Sequence, residues 1–108
     1  MIVNDPFRVI PKAFAKLYPG KEYFAHFVTE ELFLENGDKV RGLTIFPYDG
    51  SMPEIKISSE ITVNDATETF IQGLAHVAVG AANIGYDEKF EAAFKAIGDE
   101  YFRMVENE

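Results

Sequence analysis

The sequence predicts an α+β domain: an N-terminal helix, a three- to four-stranded mostly antiparallel sheet, and two C-terminal helices packed on one face. Three observations carry this. Apolar residues recur at helical spacing near the start, β-rich runs divided by turn signals fill the middle, and two long helical patterns occupy the rest.

The first helix is expected over Pro6 to Tyr18, where Phe7, Ile10, Phe14 and Leu17 follow helical spacing. Asp5 can cap it and Pro6 suits its first turn, but Pro11 interrupts the pattern and offers an alternative start. Pro19-Gly20 ends it. Strand character follows in Tyr23 to Phe27, Leu32 to Leu34 and Val40 to Phe46, with Asn36-Gly37-Asp38 marking a tight turn between the second and third runs. A Gly/Pro/Asp/Ser loop spans Pro47 to Pro53. The alternation of Ile55-Lys56-Ile57-Ser58 then predicts a short strand with one buried face. Asp65 and Glu68 resemble a capping box for a helix running to about Ala82. After a turn at Asn83-Ile84-Gly85, Asp87 is the expected cap of a last helix, whose Phe90, Phe94, Ile97, Tyr101 and Met104 share one face, a core-packing stripe.

With 108 residues, 47% of them hydrophobic and 14% aromatic, the chain is expected to form one domain over residues 1–108 with its own core. It contains no cysteine, which excludes disulfides and thiolate–zinc sites. The net charge of −8 argues against nucleic acid as a partner. Glu30, Glu31 and Glu35, with Glu100, Glu106 and Glu108, supply much of the excess and read as solvated faces. No apolar run is long enough to span a bilayer, and the N-terminus lacks the pattern of a signal peptide, so no membrane association and a cytoplasmic location are expected. No motif speaks to oligomeric state.

One helix is unusual. Between Phe70 and Ala82 it is apolar nearly all round, broken by a polar stripe of Thr69, Gln72, His76 and Asn83, with Gly73 and Gly80 beside it. Such a stripe faces either another polar element or a cleft. The plainest role for Gln72 and His76 is hydrogen bonding within a packed core. His26, between Ala25 and Phe27, reads as an ordinary strand residue.

The arrangement resembles the active-site half of small zinc metallopeptidases, zincins of the SprT/WLM kind. These carry H-E-x-x-H on a helix just after an edge strand of a small sheet. The window Gln72-Gly73-Leu74-Ala75-His76, followed by Val77-Ala78-Val79-Gly80, is similar to that motif and its sequel. Tyr86-Asp87-Glu88-Lys89-Phe90 is similar to the H-D-x-x-F segment that brings the third ligand, and the strand Ile55 to Ser58 matches the element before the helix. The resemblance covers roughly residues 40 to 102. It implies a zincin-like fold, with zinc as the family's cofactor. Position by position, His76 matches the second metal-binding His. Gln72 replaces the first His, Gly73 the Glu general base, and Tyr86 the third ligand.

Catalytic zinc needs three protein ligands. Gln is a feeble neutral ligand, and a Tyr hydroxyl loses its proton only near pH 10. Without its general base the reaction slows by roughly a hundred- to ten-thousand-fold. The expectation is therefore a catalytically inactive, pseudo-zincin domain with no catalytic residue and no bound cofactor, using its cleft or sheet edge to bind a peptide or protein. Two alternatives stand beside it. One is a metal-dependent hydrolase built on His76, Tyr86 and a carboxylate such as Asp87; the other is a small α+β interaction module unrelated to peptidases. Asp87, Glu88 and Glu91 are otherwise explained by helix capping and solvation.

Overall fold

The computed structural model describes residues 5–80 and 88–107. Its elements run in the order α1 (Pro6–Leu17), β1 (Phe24–Val28), β2 (Leu32–Phe33), β3 (Lys39–Val40), β4 (Gly42–Ile45), β5 (Glu54–Ser58), α2 (Val63–Val79) and α3 (Glu88–Glu106). This is the predicted α+β order.

Asp5 caps α1, its carboxylate accepting from the Phe7 N–H at 3.0 Å. The helix then runs straight through Pro11 instead of starting there. Proline at that position forfeits one ladder bond, a cost of about 3 kcal/mol. Burial of Val9, Ile10, Ala13 and Phe14 outweighs it, at about 1.5–3 kcal/mol for each large side chain. Leu17, expected in the buried stripe, is exposed.

The three-stranded sheet has the order β1-β5-β4, with β1 parallel and β4 antiparallel to β5; β2 and β3 form a separate antiparallel hairpin. Two of the three pairings are thus antiparallel. The β2–β3 turn is built by Gly37 at φ +91° and by the Asn36 side chain, whose oxygen accepts from the Asp38 N–H at 2.9 Å. The predicted run from Val40 to Phe46 breaks at Arg41. Its first part pairs with β2 and its second with β5, where the Ser58 N–H donates to the Arg41 carbonyl at 2.8 Å.

β5 is the central strand, with β1 and β4 at the two edges. This corrects the match of Ile55 to Ser58 with the edge strand of the zincin layout. Ile55 and Ile57 turn one face of β5 into the core, and their parallel partners Ala25 and Phe27 share that face. The helices cover it. Phe70 of α2 packs against Phe7 and Tyr23, and Leu74, Ala75, Phe90, Ala93 and Ile97 complete the interior.

Helix α2 begins at Val63, two residues before the expected Asp65 cap. Thr62 is the N-cap, and its hydroxyl accepts from the Asp65 N–H at 3.1 Å. Asp65 instead sits in the first turn, where a negative charge complements the helix dipole, and it meets Arg41 at 3.1 Å. The helix ends at Val79 rather than near Ala82, because Gly80 adopts φ +86° while its N–H still reaches the His76 carbonyl. The expected turn at Asn83 to Gly85 and the Asp87 cap lie outside the described residues.

The stripe of α3 is as predicted, with Phe90 and Ile97 buried and Phe94, Tyr101 and Met104 half-buried. Glu100 departs from the expected solvated face. Its side chain is only 11% exposed, and it bridges α3 to α1 through Lys16 at 2.7 Å and pairs with Arg103. These two cations hold its carboxyl down to about 2, Arg103 contributing most. No helix among the described residues is long and apolar enough to cross a membrane.

Candidate functional site: a cleft between strand β4 and helix α2

Two glycines set how closely α2 approaches the sheet. A Cβ on Gly42 would lie 2.2 Å from the Thr69 methyl, and one on Gly73 would lie 2.7 Å from Cγ2 of Ile55. β4 and β5 therefore meet the helix at distances that side chains would forbid. The Thr69 hydroxyl donates to the Asp65 carbonyl at 2.7 Å, which settles its polarity inside the contact and leaves its methyl facing Gly42.

Beyond this contact the helix and the edge strand diverge into a cleft of about 560 Å³. Thr44 lines one side, and Thr69, Gln72, Gly73 and His76 line the other, while Lys39 and Arg41 stand at the hairpin end. Three of the four residues of the predicted stripe are thus brought together on one face. Asn83, the fourth, lies outside the described residues, as do Tyr86 and Asp87. Among the described residues no carboxylate lines the cleft, although the chain carries eighteen acidic residues. Its local character is neutral to cationic. Lys39 and Arg41 are already met by Glu31 and Asp65 in exposed pairs, which water weakens.

The backbone of β4 adds to the site. Antiparallel pairing sets Leu43 opposite Lys56 and Ile45 opposite Glu54, and the Arg41 carbonyl bonds Ser58. These odd-numbered residues direct their backbone groups to β5, so Gly42 and Thr44 direct theirs away from it. The outer edge of β4 therefore offers N–H and C=O groups beside the cleft.

His76 lies half-buried in the last turn of α2, its ring 4.5 Å from that of Phe90. The first turn of α3 thus packs against the imidazole. A helix C-terminus favours a cation, but burial penalises the charged form more strongly and lowers the His76 pKa below its ordinary 6.5. The ring is neutral at neutral pH. His26 is elsewhere: its Nε2 is 2.5 Å from Glu54 on the sheet face opposite the helices. The two histidines do not share a site.

Among the described residues, the donors lining the cleft do not make up a catalytic zinc site. One imidazole and one neutral amide fall short of three ligands, and no group of three or more His, Cys, Asp or Glu among the described residues is arranged to hold a metal. Nor is position 73 an open space awaiting a carboxylate. The volume that its Cβ would enter is filled by Ile55, which is fully buried.

Sequence reasoning missed Gly42 and Thr44. A glycine opening a β-rich run was the available signal, because it marks a close backbone approach. Comparison with family models, curated proteins and solved structures finds no match.

Proposed function

We propose that this chain is a zincin-like domain without peptidase chemistry, a pseudoenzyme of the cytoplasm that uses its cleft to hold an extended segment of a peptide or protein partner. The observation that supports this most strongly is the outward backbone edge at Gly42 and Thr44, running beside a helix face that carries Gln72 and His76. An extended chain laid along such an edge gains main-chain hydrogen bonds, and side-chain pockets add selectivity. Gln72 supplies both donor and acceptor, as a peptide backbone requires, and His76 stands beside it on the same cleft wall. The cationic end at Lys39 and Arg41 favours a carboxylate on the bound segment.

The reading is tested by selecting random peptides against the protein by phage display and measuring their affinity for variants. Thr44→Pro removes an outward N–H without touching the ladder to β5, and Gln72→Ala removes the facing amide. Each is expected to weaken selected peptides at least about tenfold, the effect of losing one well-made hydrogen bond. Peptides that bind both variants as tightly as the unmodified chain would overturn the assignment.

A further inference from the structure

The sheet has a second open edge, on the side of the molecule away from the cleft. β1 pairs with β5 on one side only. The Phe24 N–H donates to the Pro53 carbonyl and the Val28 carbonyl accepts from Ser59, so Phe24, His26 and Val28 direct their backbone groups to β5. Ala25 and Phe27 therefore direct theirs outward, and no hydrogen bond to those groups is found among the described residues. Natural edge strands are usually guarded by lysine, proline or a bulge. The segment Phe24-Ala25-His26-Phe27-Val28 has none of these, and its one titratable group is engaged by Glu54.

The side chains beside this edge complement each other. Phe27 is 49% exposed, held edge-on against Phe7 at 5.1 Å. Phe27 also forms part of the rim of an apolar hollow of about 250 Å³, whose lining includes Phe7, Pro11, Tyr23, Ala25 and Phe70. A knob and a hole lie two residues apart on one strand and on the same sheet face.

We infer that β1 is a self-association edge, whose occupant is β1 of a second copy of this chain in antiparallel two-fold pairing. The outward groups limit the pairing to odd-numbered residues, and the ring and the hollow select one register. Ala25 pairs with Phe27 of the second copy and Phe27 with its Ala25, making four main-chain hydrogen bonds, and the two-fold axis passes between the two His26 residues. This register lays each Phe27 ring over the Ala25 of the other copy, at the mouth of the hollow. The result is a continuous six-stranded sheet with both helical layers on one side at the junction and each cleft left open at the outer ends. The net charge of −8 on each copy opposes the encounter at long range, so the dimer strengthens as salt is added.

The chain has no cysteine, which permits a register-specific test on the full protein. His26→Cys places two thiols in a non-hydrogen-bonded pair across the axis, where opposed Cβ atoms lie about 4.5–5.5 Å apart. Phe24→Cys places them opposite Val28 instead, four positions out of register with each other. Under mild oxidation, His26→Cys is expected to form covalent dimer at least about tenfold faster than Phe24→Cys, since only opposed thiols satisfy disulfide geometry. In parallel, light scattering of the unmodified chain is expected to show a mass rising with concentration from 12.1 kDa toward twice that value. Ala25→Pro, which deletes an outward N–H, and Phe27→Lys, which deletes the knob, should each weaken association at least about tenfold while circular dichroism shows the fold retained. A monomer mass at every concentration and salt level would overturn the inference. So would a dimer that both substitutions leave intact, or equal cross-linking rates at positions 24 and 26.

Discussion

The contact between Gly73 and Ile55 fixes how α2 sits on the sheet, and its energetics can be worked out from the distances. Gly73→Ala brings two opposed effects. Replacing glycine within a helix by alanine gains about 1 kcal/mol in propensity. The new Cβ, however, lies 2.7 Å from Cγ2, 3.2 Å from Cδ1 and 3.3 Å from Cγ1 of Ile55. Cγ2 sits at the branch point of a stiff, fully buried side chain, so it cannot swing aside as a flexible terminus would. Overpacking of this kind costs about 1–3 kcal/mol. The net expectation is a loss of about 1 kcal/mol, or a fall in Tm of roughly 4–8 °C for a domain of this size. The decisive assay is a double-mutant cycle by urea denaturation. Ile55→Ala removes all three opposing atoms, so Gly73→Ala in that background should stabilise by about 1 kcal/mol, the propensity term alone. Ile55→Val keeps Cγ2 and should preserve the loss. A stabilising Gly73→Ala in the unmodified protein, or the same effect in all three backgrounds, would refute the reasoning. Gly73→Glu begins from the same Cβ, so adding a carboxylate here meets the same obstacle.

The second glycine behaves in parallel: Gly42→Ala should destabilise by about 1–3 kcal/mol through the Thr69 methyl, and Thr69→Ser, which removes that methyl, should recover most of the loss in the same denaturation assay. Thr62→Ala deletes the hydroxyl that caps α2 and should cost about 1 kcal/mol, whereas Asp65→Ala leaves the cap in place and should cost less. For His76, the folded-state pKa lies below the unfolded value of 6.5, so the folded protein binds fewer protons in the window between them. Stability is then fully present above about pH 6.5 and declines as pH falls through the folded pKa, and His76→Gln should flatten that decline in thermal melts at stepped pH. Glu100 acts in the same direction at lower pH. Its pKa of about 2 lies below the ordinary 4.5, so its contribution is lost as pH falls from about 4.5 toward 2, and Glu100→Gln should remove that part of the acid sensitivity.

Much of the fold was legible because local signals and burial agree. Alternation in Ile55 to Ser58, the Asn36-Gly37 turn and the stripe of α3 each encode one periodicity and one buried face. The polar stripe of α2 was legible for the same reason, and Thr69, Gln72 and His76 do share the cleft. What escaped depends on contacts between distant segments. Thr62 rather than Asp65 caps α2 because the chain leaves β5 only four residues earlier, and Thr62 is the residue whose hydroxyl reaches the third N–H. The division of Val40 to Phe46 at Arg41 follows from two different pairing partners, which no local pattern reveals. The placement of β5 at the centre of the sheet required the parallel pairing with β1, a non-local choice. Glu100 looked like surface charge, and only the approach of α1 supplied Lys16 to it.

Gln72 and His76 face one cleft, where the described residues bring one imidazole and one amide but no carboxylate. A titration with zinc, followed by thermal melting, tests this most directly when run on the unmodified chain and on Gln72→His. Two imidazoles four residues apart on one helix face grip a divalent ion. The Gln72→His variant should therefore gain about 2.7 kcal/mol at a zinc concentration a hundredfold above its Kd, and lose the gain again when His76→Ala is added. The unmodified chain should melt at the same temperature with and without zinc. A zinc-dependent rise in the unmodified chain, or a folded Gln72→His variant that zinc leaves unchanged, would contradict the account.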